Sequence, residues 1–210
     1  MKILGNKKIE KNIVVIDNWY NENELKAVWK ELDFYSETQN LERASKNLSV
    51  TGLDEKGEPQ ANCYRIYLDD YYKQGKRHIS PILRLINKFV DKNMHNEIKT
   101  IKMGRQFPET NSDISFVSYY EEGDSFKPHF DVFQFTALIW LYKEPRQFEG
   151  GDLILNDFDN EIVEVKNNRL VFFPSYYIHQ VEKIKMKTKD KFKGRYSISH
   201  FFYTVPSGKI

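Results

Sequence analysis

The chain has 210 residues, one cysteine and a formal net charge of +2 at pH 7. That length can bury the core of one domain. The lone Cys63 excludes an intramolecular disulfide, the near-balanced charge excludes a global nucleic-acid footprint, and no apolar run approaches the length of a membrane span. The opening MKILGNKKIEKN turns charged too early for the apolar region of a signal peptide, so the expectation is a protein of a reducing cytoplasm. Thirteen tyrosines and 15 phenylalanines suit strands and a lined cavity better than a helical bundle.

In chain order, NIVVIDNWY (12–20) reads as a short apolar strand ending in turn residues. NENELKAVWKEL follows, with Leu25, Val28, Trp29 and Leu32 at the spacing of an amphipathic helix and Asn21 or Asn23 as its cap. Residues 36–62 are polar, punctuated by Gly and Pro and without sustained period, which predicts a long loop of the kind that forms lids or binding loops. A second helix starts at Ser80 as cap with Pro81 in its first position and runs through Ile82, Leu83, Leu85, Ile86, Phe89 and Val90.

After about residue 100 the pattern changes. ISFVSYY, ALIWLY, DLILND, EIVEVK, RLVFF and RYSISHFFY are short β-rich runs separated by EEGD, EGGD and DFDN. Many short strands after a helical start imply an α+β, mainly β fold: a sandwich, jelly roll or barrel with the helices packed outside. Gly150 and Gly151 are expected in a tight turn, Trp140, Tyr142 and Phe133 in sheet packing, and Cys63 in buried packing. His78, His95 and His200 lack a neighbouring ligand pattern, and Arg43 and Arg105 read as solvated surface rather than substrate contacts.

KPHFD (127–131) places His129 and Asp131 two residues apart, on one face of an extended strand. His179 in FFPSYYIHQV supplies a third candidate ligand. Two imidazoles and one carboxylate on one face of an octahedral ion leave the other face open, the arrangement of non-haem Fe(II) oxygenases. Alone, a His-x-Asp pair carries little information; the flanking runs add to it.

YYEEGDSFKPHFD, FEGGDLIL, NNRLVFFPSYYIHQV and KGRYS, in that order, resemble the catalytic half of prolyl 4-hydroxylase-like 2-oxoglutarate- and Fe(II)-dependent dioxygenases. The resemblance spans roughly residues 115–203 and loosely includes the opening at 13–32. It implies a double-stranded β-helix (jelly-roll, cupin-like) core with N-terminal helices outside, and one domain over 1–210: helical support over 1–100, a catalytic jelly roll over about 101–205. It also implies Fe(II) held by His129, Asp131 and His179, with O2 and 2-oxoglutarate as co-substrates and ascorbate as a stimulant. Arg195 matches the basic residue that takes the distal carboxylate of 2-oxoglutarate; Ser197 shares its strand face, and Tyr120, rather than Tyr119, matches a co-substrate-contacting tyrosine. The implied reaction is hydroxylation of an unactivated C–H, first of a prolyl residue in a peptide or protein. A free amino acid, another small molecule or a nucleobase remain alternatives on the same scaffold.

Arg195 follows His179 by 16 residues, against about ten in most such enzymes, the excess lying at KMKTKD (185–190). Antiparallel pairing of the His179 and Arg195 strands would place that excess at their connecting end. Lys183, Lys185, Lys187, Lys189, Lys191 and Lys193 alternate, so an extended hairpin there would carry a basic stripe. The expectation is a solvated edge that discourages pairing, with an acidic partner or a phosphate backbone as the rival reading. Two rival functions remain at this level: a cupin-like metal-binding protein without oxygenase activity, which needs no Arg195, and a nucleic-acid demethylase using the lysine stripe.

Overall fold

A computed structural model describes residues 12–44, 51–73 and 75–206. β1 (Val14–Asp17) leads into α1 (Glu22–Glu37), then β2 (Glu42–Arg43), β3 (Ala61–Asn62) and β4 (Tyr64–Tyr67). Three further helices follow: α2 (Leu68–Tyr71), α3 (Pro81–Arg84) and α4 (Lys92–Ile98). From there the chain is mainly strand: β5 (Ser112–Tyr120), β6 (Ser125–His129), β7 (Phe135–Leu141), β8 (Phe148–Glu149), β9 (Leu153–Leu155) and β10 (Glu161–Val163). β11 (Arg169–Pro174), β12 (His179–Val181), β13 (Lys185–Met186) and β14 (Arg195–Tyr203) complete it.

Two antiparallel sheets form the double-stranded β-helix. The larger runs β1-β11-β7-β14-β5-β4-β2 and the smaller β10-β9-β12-β6-β3. β7 is buried at every position, because the larger sheet is covered on both faces. Its Phe135, Ala137, Ile139 and Leu141 join the helices in one apolar cluster, whereas Leu138 and Trp140 join a second cluster between the sheets. β14 alternates in the same way but unequally. Tyr196, Ile198 and Phe202 face the helices, while Arg195, Ser197 and Ser199 face the interior between the sheets. A strand whose inward face is the polar one lines a cavity rather than a core.

The N-terminal elements follow local chemistry. Asn21 caps α1, accepting from the N–H groups of Asn23 and Glu24, and the Glu24 carboxylate accepts from the Asn21 N–H in return. Val28 and Leu32 are fully buried, with Leu25 and Trp29 packed alongside. The expected second helix is divided: α3 is capped by Ser80, residues 85–90 tighten into 3-10 turns, and Asp91 caps a separate α4. Of the expected loop at 36–62, residues 45–50 lie outside the described residues. The remainder is pinned by short pairings: β2 with β4, Leu53 with Pro59, and β3 with β6.

Two expectations are corrected. The strands bearing His179 and Arg195 are not neighbours, since β12 lies in the smaller sheet and β14 in the larger. Nor is 183–193 one extended stripe. Only Lys185–Met186 is strand, paired with β8; Lys187 is tied to Glu149 at 3.2 Å; and Phe192 has φ +57°, which breaks the alternation. The additional residues thus turn aside onto β8, and the chain returns to place Arg195 opposite Tyr120.

Glu31 is the buried link between α1 and α3. Its carboxylate accepts from the Tyr35 hydroxyl, the Ser80 hydroxyl and, at 2.9 Å, the Ile82 N–H. Glu31→Ala leaves these donors unsatisfied and should destabilise the fold by about 2–4 kcal/mol in urea unfolding. A loss below about 0.5 kcal/mol would show that the link does not hold the helices to one another.

Candidate metal centre

β6 and β12 are adjacent antiparallel strands, and their register sets His129 directly opposite His179. Facing positions bring side chains close, and here the imidazole centroids are 4.3 Å apart. Asp131 lies just beyond the end of β6, where its N–H donates to the Ser175 carbonyl at 2.9 Å, tying its segment to the one after β11. The His129 Nε2 is 3.6 Å from one Asp131 oxygen and the His179 Nε2 3.6 Å from the other. All three ligating atoms lie within 4.8 Å of one another, close to the roughly 3–4 Å that separates donors about 2.0–2.2 Å from one ion.

The surrounding hydrogen bonds orient these atoms. The Nδ1 of His129 meets the Lys127 carbonyl and that of His179 the Tyr177 carbonyl, each at 2.8 Å. A ring that donates from Nδ1 keeps the Nε2 lone pair for a metal. The Asp131 carboxylate accepts from the Thr136 hydroxyl at 2.7 Å, and Thr136 in turn meets the Ser175 hydroxyl at 2.8 Å. The Phe126 ring stacks on His129 at 3.6 Å with planes 12° apart, fixing that imidazole from its other side.

Burial, with the neighbouring His179 as a lesser cause, pushes the His129 pKa down to about 3, so this imidazole is neutral and able to ligate. Burial pushes the Asp131 carboxyl upward, against the opposing pull of His179 and Thr136. Two imidazoles and one hard carboxylate, confined to one side of a shielded space, suit a ferrous ion.

The ligands share a cavity with residues of the facing sheet: Tyr120, Ser118 and Phe116 from β5, and Arg195, Ser197 and Ser199 from β14. Arg195 is 1% exposed, and its Nε and Nη1 have no hydrogen-bond partner among the protein atoms. Its guanidinium is 5.0 Å from the centre of the Tyr120 ring and 5.1 Å from that of Trp140, and burial lowers its pKa to about 10. Gly151, at φ +79°, packs beneath it; a Cβ there would come within 3.3 Å of the Arg195 Cδ. The adjacent tyrosines face opposite ways. Tyr120 lines the cavity, while Tyr119 joins the helix-side cluster and accepts from the Gly194 N–H.

All six site residues expected from sequence therefore line this one cavity. His200 is buried elsewhere against Phe89 and the Ser115 hydroxyl, Arg43 pairs with the buried Asp124, and Arg105 is exposed. Sequence reasoning missed Arg65 on β4, which lines the cavity together with Phe116 and Phe126. Its only signal is a charged residue between Cys63 and Tyr67 at alternate positions of a short β-run.

Residues 114–203 match the 2OG-Fe(II) oxygenase superfamily. No curated protein matches the sequence. Among solved structures, the chain is similar to a prolyl hydroxylase from Trichoplax adhaerens in complex with a hypoxia inducible factor oxygen degradation domain peptide fragment. The TM-score is 0.60 and the identity 13%, over 92% of this chain and 84% of that one. It is similar too to a Pseudomonas putida prolyl-4-hydroxylase, with TM-score 0.56 and 15% identity over 93% of this chain and 94% of that one. A third is an oxidoreductase of the 2OG-Fe(II) oxygenase family from Burkholderia pseudomallei, with TM-score 0.57 and 14% identity over 92% and 86%. At such identities the structural likeness speaks for the fold; the class comes from the superfamily match. What points to a 2-oxoglutarate-dependent dioxygenase, an enzyme working with Fe(II), 2-oxoglutarate and O2, is the superfamily match over residues 114–203.

Thr136→Val keeps the shape and deletes the hydroxyl that holds Asp131. Anaerobic calorimetric titration with Fe(II) should show about 10–100-fold weaker binding. Unchanged affinity would mean that Thr136 does not orient the carboxylate.

Proposed function

We propose that this protein hydroxylates an unactivated C–H bond, with His129, Asp131 and His179 holding the iron and Arg195 holding the far carboxylate of 2-oxoglutarate. The observation that carries this reading is the buried Arg195 guanidinium, with two unsatisfied nitrogens, in the same cavity as the three ligands. A permanent cation enclosed by rings and sheet is a receptor for an anion, and a planar guanidinium meets a carboxylate through two parallel hydrogen bonds. A metal-binding protein without oxygenase activity would have no use for it.

Bound Fe(II), with 2-oxoglutarate and O2, supplies the oxidative decarboxylation that is coupled to inserting one oxygen atom into C–H. The chain contributes position and shelter. Its imidazoles present Nε2 because their Nδ1 atoms are engaged by backbone carbonyls. Tyr120 stands in the next position across the sheet from Arg195, with its hydroxyl kept protonated by burial, and Ser197 adds a hydroxyl two residues along the same face. Phe116, Phe126, Leu138 and Phe201 supply apolar walls that exclude water from the reacting bond.

A prolyl residue of a peptide is the first substrate to test, since two of the structures that share the fold are prolyl hydroxylases and one of them holds a peptide. Among the described residues no helix is long and apolar enough to cross a membrane.

Incubated with Fe(II), ascorbate and labelled 2-oxoglutarate, the protein should release labelled CO2. His179→Ala and Asp131→Ala should abolish release. Arg195→Met should raise the apparent KM for 2-oxoglutarate by about 100-fold while Fe(II) binding is retained, as expected for loss of a charge-assisted pair. An unchanged KM would remove Arg195 from this role. Failure of the unaltered protein to bind 2-oxoglutarate in the presence of Fe(II) would contradict the reading as a whole.

A further inference from the structure

Arg195 is not the only unsatisfied donor at its end of the cavity. Trp140 is fully buried between the sheets, and its indole Nε1 has no hydrogen-bond partner among the protein atoms. A buried indole N–H ordinarily finds an acceptor, and leaving it without one costs about 1–3 kcal/mol. Register places it. Trp140 pairs with Ser197 across β7–β14, and Ser197 pairs with Ser118 across β14–β5. The three form one row on the inward face of the larger sheet, next to the row that holds Arg195 and Tyr120. Trp140 is thus the diagonal neighbour of Arg195, within reach of a long side chain, and the guanidinium lies 5.1 Å from its ring centre.

Other unsatisfied donors among the described residues lie away from this place. Trp19 Nε1 and the Tyr20 hydroxyl belong to the helix-side cluster, and the Tyr177 hydroxyl to a ring packed edge-on against Phe158. Trp140 and Arg195 instead bring three such nitrogens, from two neighbouring strands, to one corner: the indole Nε1 and the guanidinium Nε and Nη1. The cavity itself offers them no counter-group. Asp131 is the only carboxylate among the described residues lining it, and that carboxylate is held at the metal end by Thr136.

Chemistry narrows what they meet. An indole N–H and a guanidinium donate and do not accept, so the group that satisfies both is rich in acceptors. A carboxylate has about four lone-pair sites; a guanidinium takes two of them through parallel bonds and leaves others for a third donor. Packing by itself has no use for the indole nitrogen, which it leaves desolvated. We infer that Trp140 binds the co-substrate: its Nε1–H donates to the same far carboxylate of 2-oxoglutarate that Arg195 holds. This rests on the reading given above, in which 2-oxoglutarate enters the cavity with that carboxylate toward Arg195. The subsite is then a set of donors from β7 and β14 that selects a 2-oxo acid with a second carboxylate over one with a neutral end. Trp140, expected from sequence to serve sheet packing, thereby has a second task.

Two measurements test this, with 2-oxoglutarate and with 2-oxopentanoate, which keeps the keto acid but ends in a methyl group. The first is NMR of the full chain with 15N-labelled indoles and Zn(II), a diamagnetic stand-in for Fe(II). The Trp140 Nε1–H resonance, assigned by triple-resonance connectivity, should move downfield on saturation with 2-oxoglutarate and stay in place with 2-oxopentanoate. The second is anaerobic calorimetry with Fe(II). Trp140→Phe keeps a ring and deletes the donor; it should weaken 2-oxoglutarate at least about tenfold while Fe(II) and 2-oxopentanoate affinities stay within about twofold, as expected when one charge-assisted bond is lost. An indole resonance that does not respond to 2-oxoglutarate, or that moves equally with both acids, would overturn the inference. So would unchanged 2-oxoglutarate affinity in Trp140→Phe, or equal losses for the two acids, which mark a role in packing alone. Should Trp140→Phe fail to fold, or 2-oxopentanoate fail to bind, the response of the Trp140 resonance to 2-oxoglutarate decides. Failure of the unaltered protein to bind 2-oxoglutarate at all would count against the proposed function instead.

Discussion

The pairing of His129 with His179 across β6 and β12 is the constraint on which the site depends. Side chains in a strand alternate between faces, so a slip of one residue on either strand would turn one imidazole out of the cavity. Backbone carbonyls at Lys127 and Tyr177 set each ring, and the Asp131 N–H bonded to Ser175 joins the two ligand-bearing segments. Two side chains that are near neighbours in sequence and a third far along the chain thus converge through one register and one backbone hydrogen bond.

The larger sheet provides the other half of the site by dividing its two faces. Its outer face is sealed by the helices, with Tyr196, Ile198 and Phe202 of β14 in that cluster. Its inner face can therefore carry groups that an ordinary core would reject: two arginines and three serines on neighbouring strands. Arg195 is 1% exposed, so an anion that meets it is shielded from water and held strongly. The smaller sheet brings the candidate metal ligands His129 and His179, with Asp131 just beyond it, and the larger sheet the cations. The chemistry lies where they face each other.

Much of this was legible in the sequence, for physical reasons that can be named. β5, β7, β11 and β14 are long enough to read as strands, and the polar Arg195-x-Ser197-x-Ser199 alternation within an otherwise apolar run marks the cavity face of β14. His129 and Asp131 are local neighbours, so their shared direction follows from strand geometry. The short elements were not legible: β2 and β3 have two residues each, too few to express any period, and they exist because β4 and β6 offer them partners. The alternating lysines misled for the opposite reason, since a two-residue pairing with β8 and a left-handed Phe192 override a periodic pattern. Arg65 escaped because a single charge on a four-residue strand carries no pattern until tertiary packing turns it toward the metal ligands.

The most direct measurement is diffraction at the iron edge from crystals grown anaerobically with Fe(II) and 2-oxoglutarate. The account predicts one anomalous peak among the Nε2 atoms of His129 and His179 and the Asp131 carboxylate, with the far carboxylate of 2-oxoglutarate on the Arg195 guanidinium. Iron bound at any other place, or a co-substrate turned away from Arg195, would contradict it.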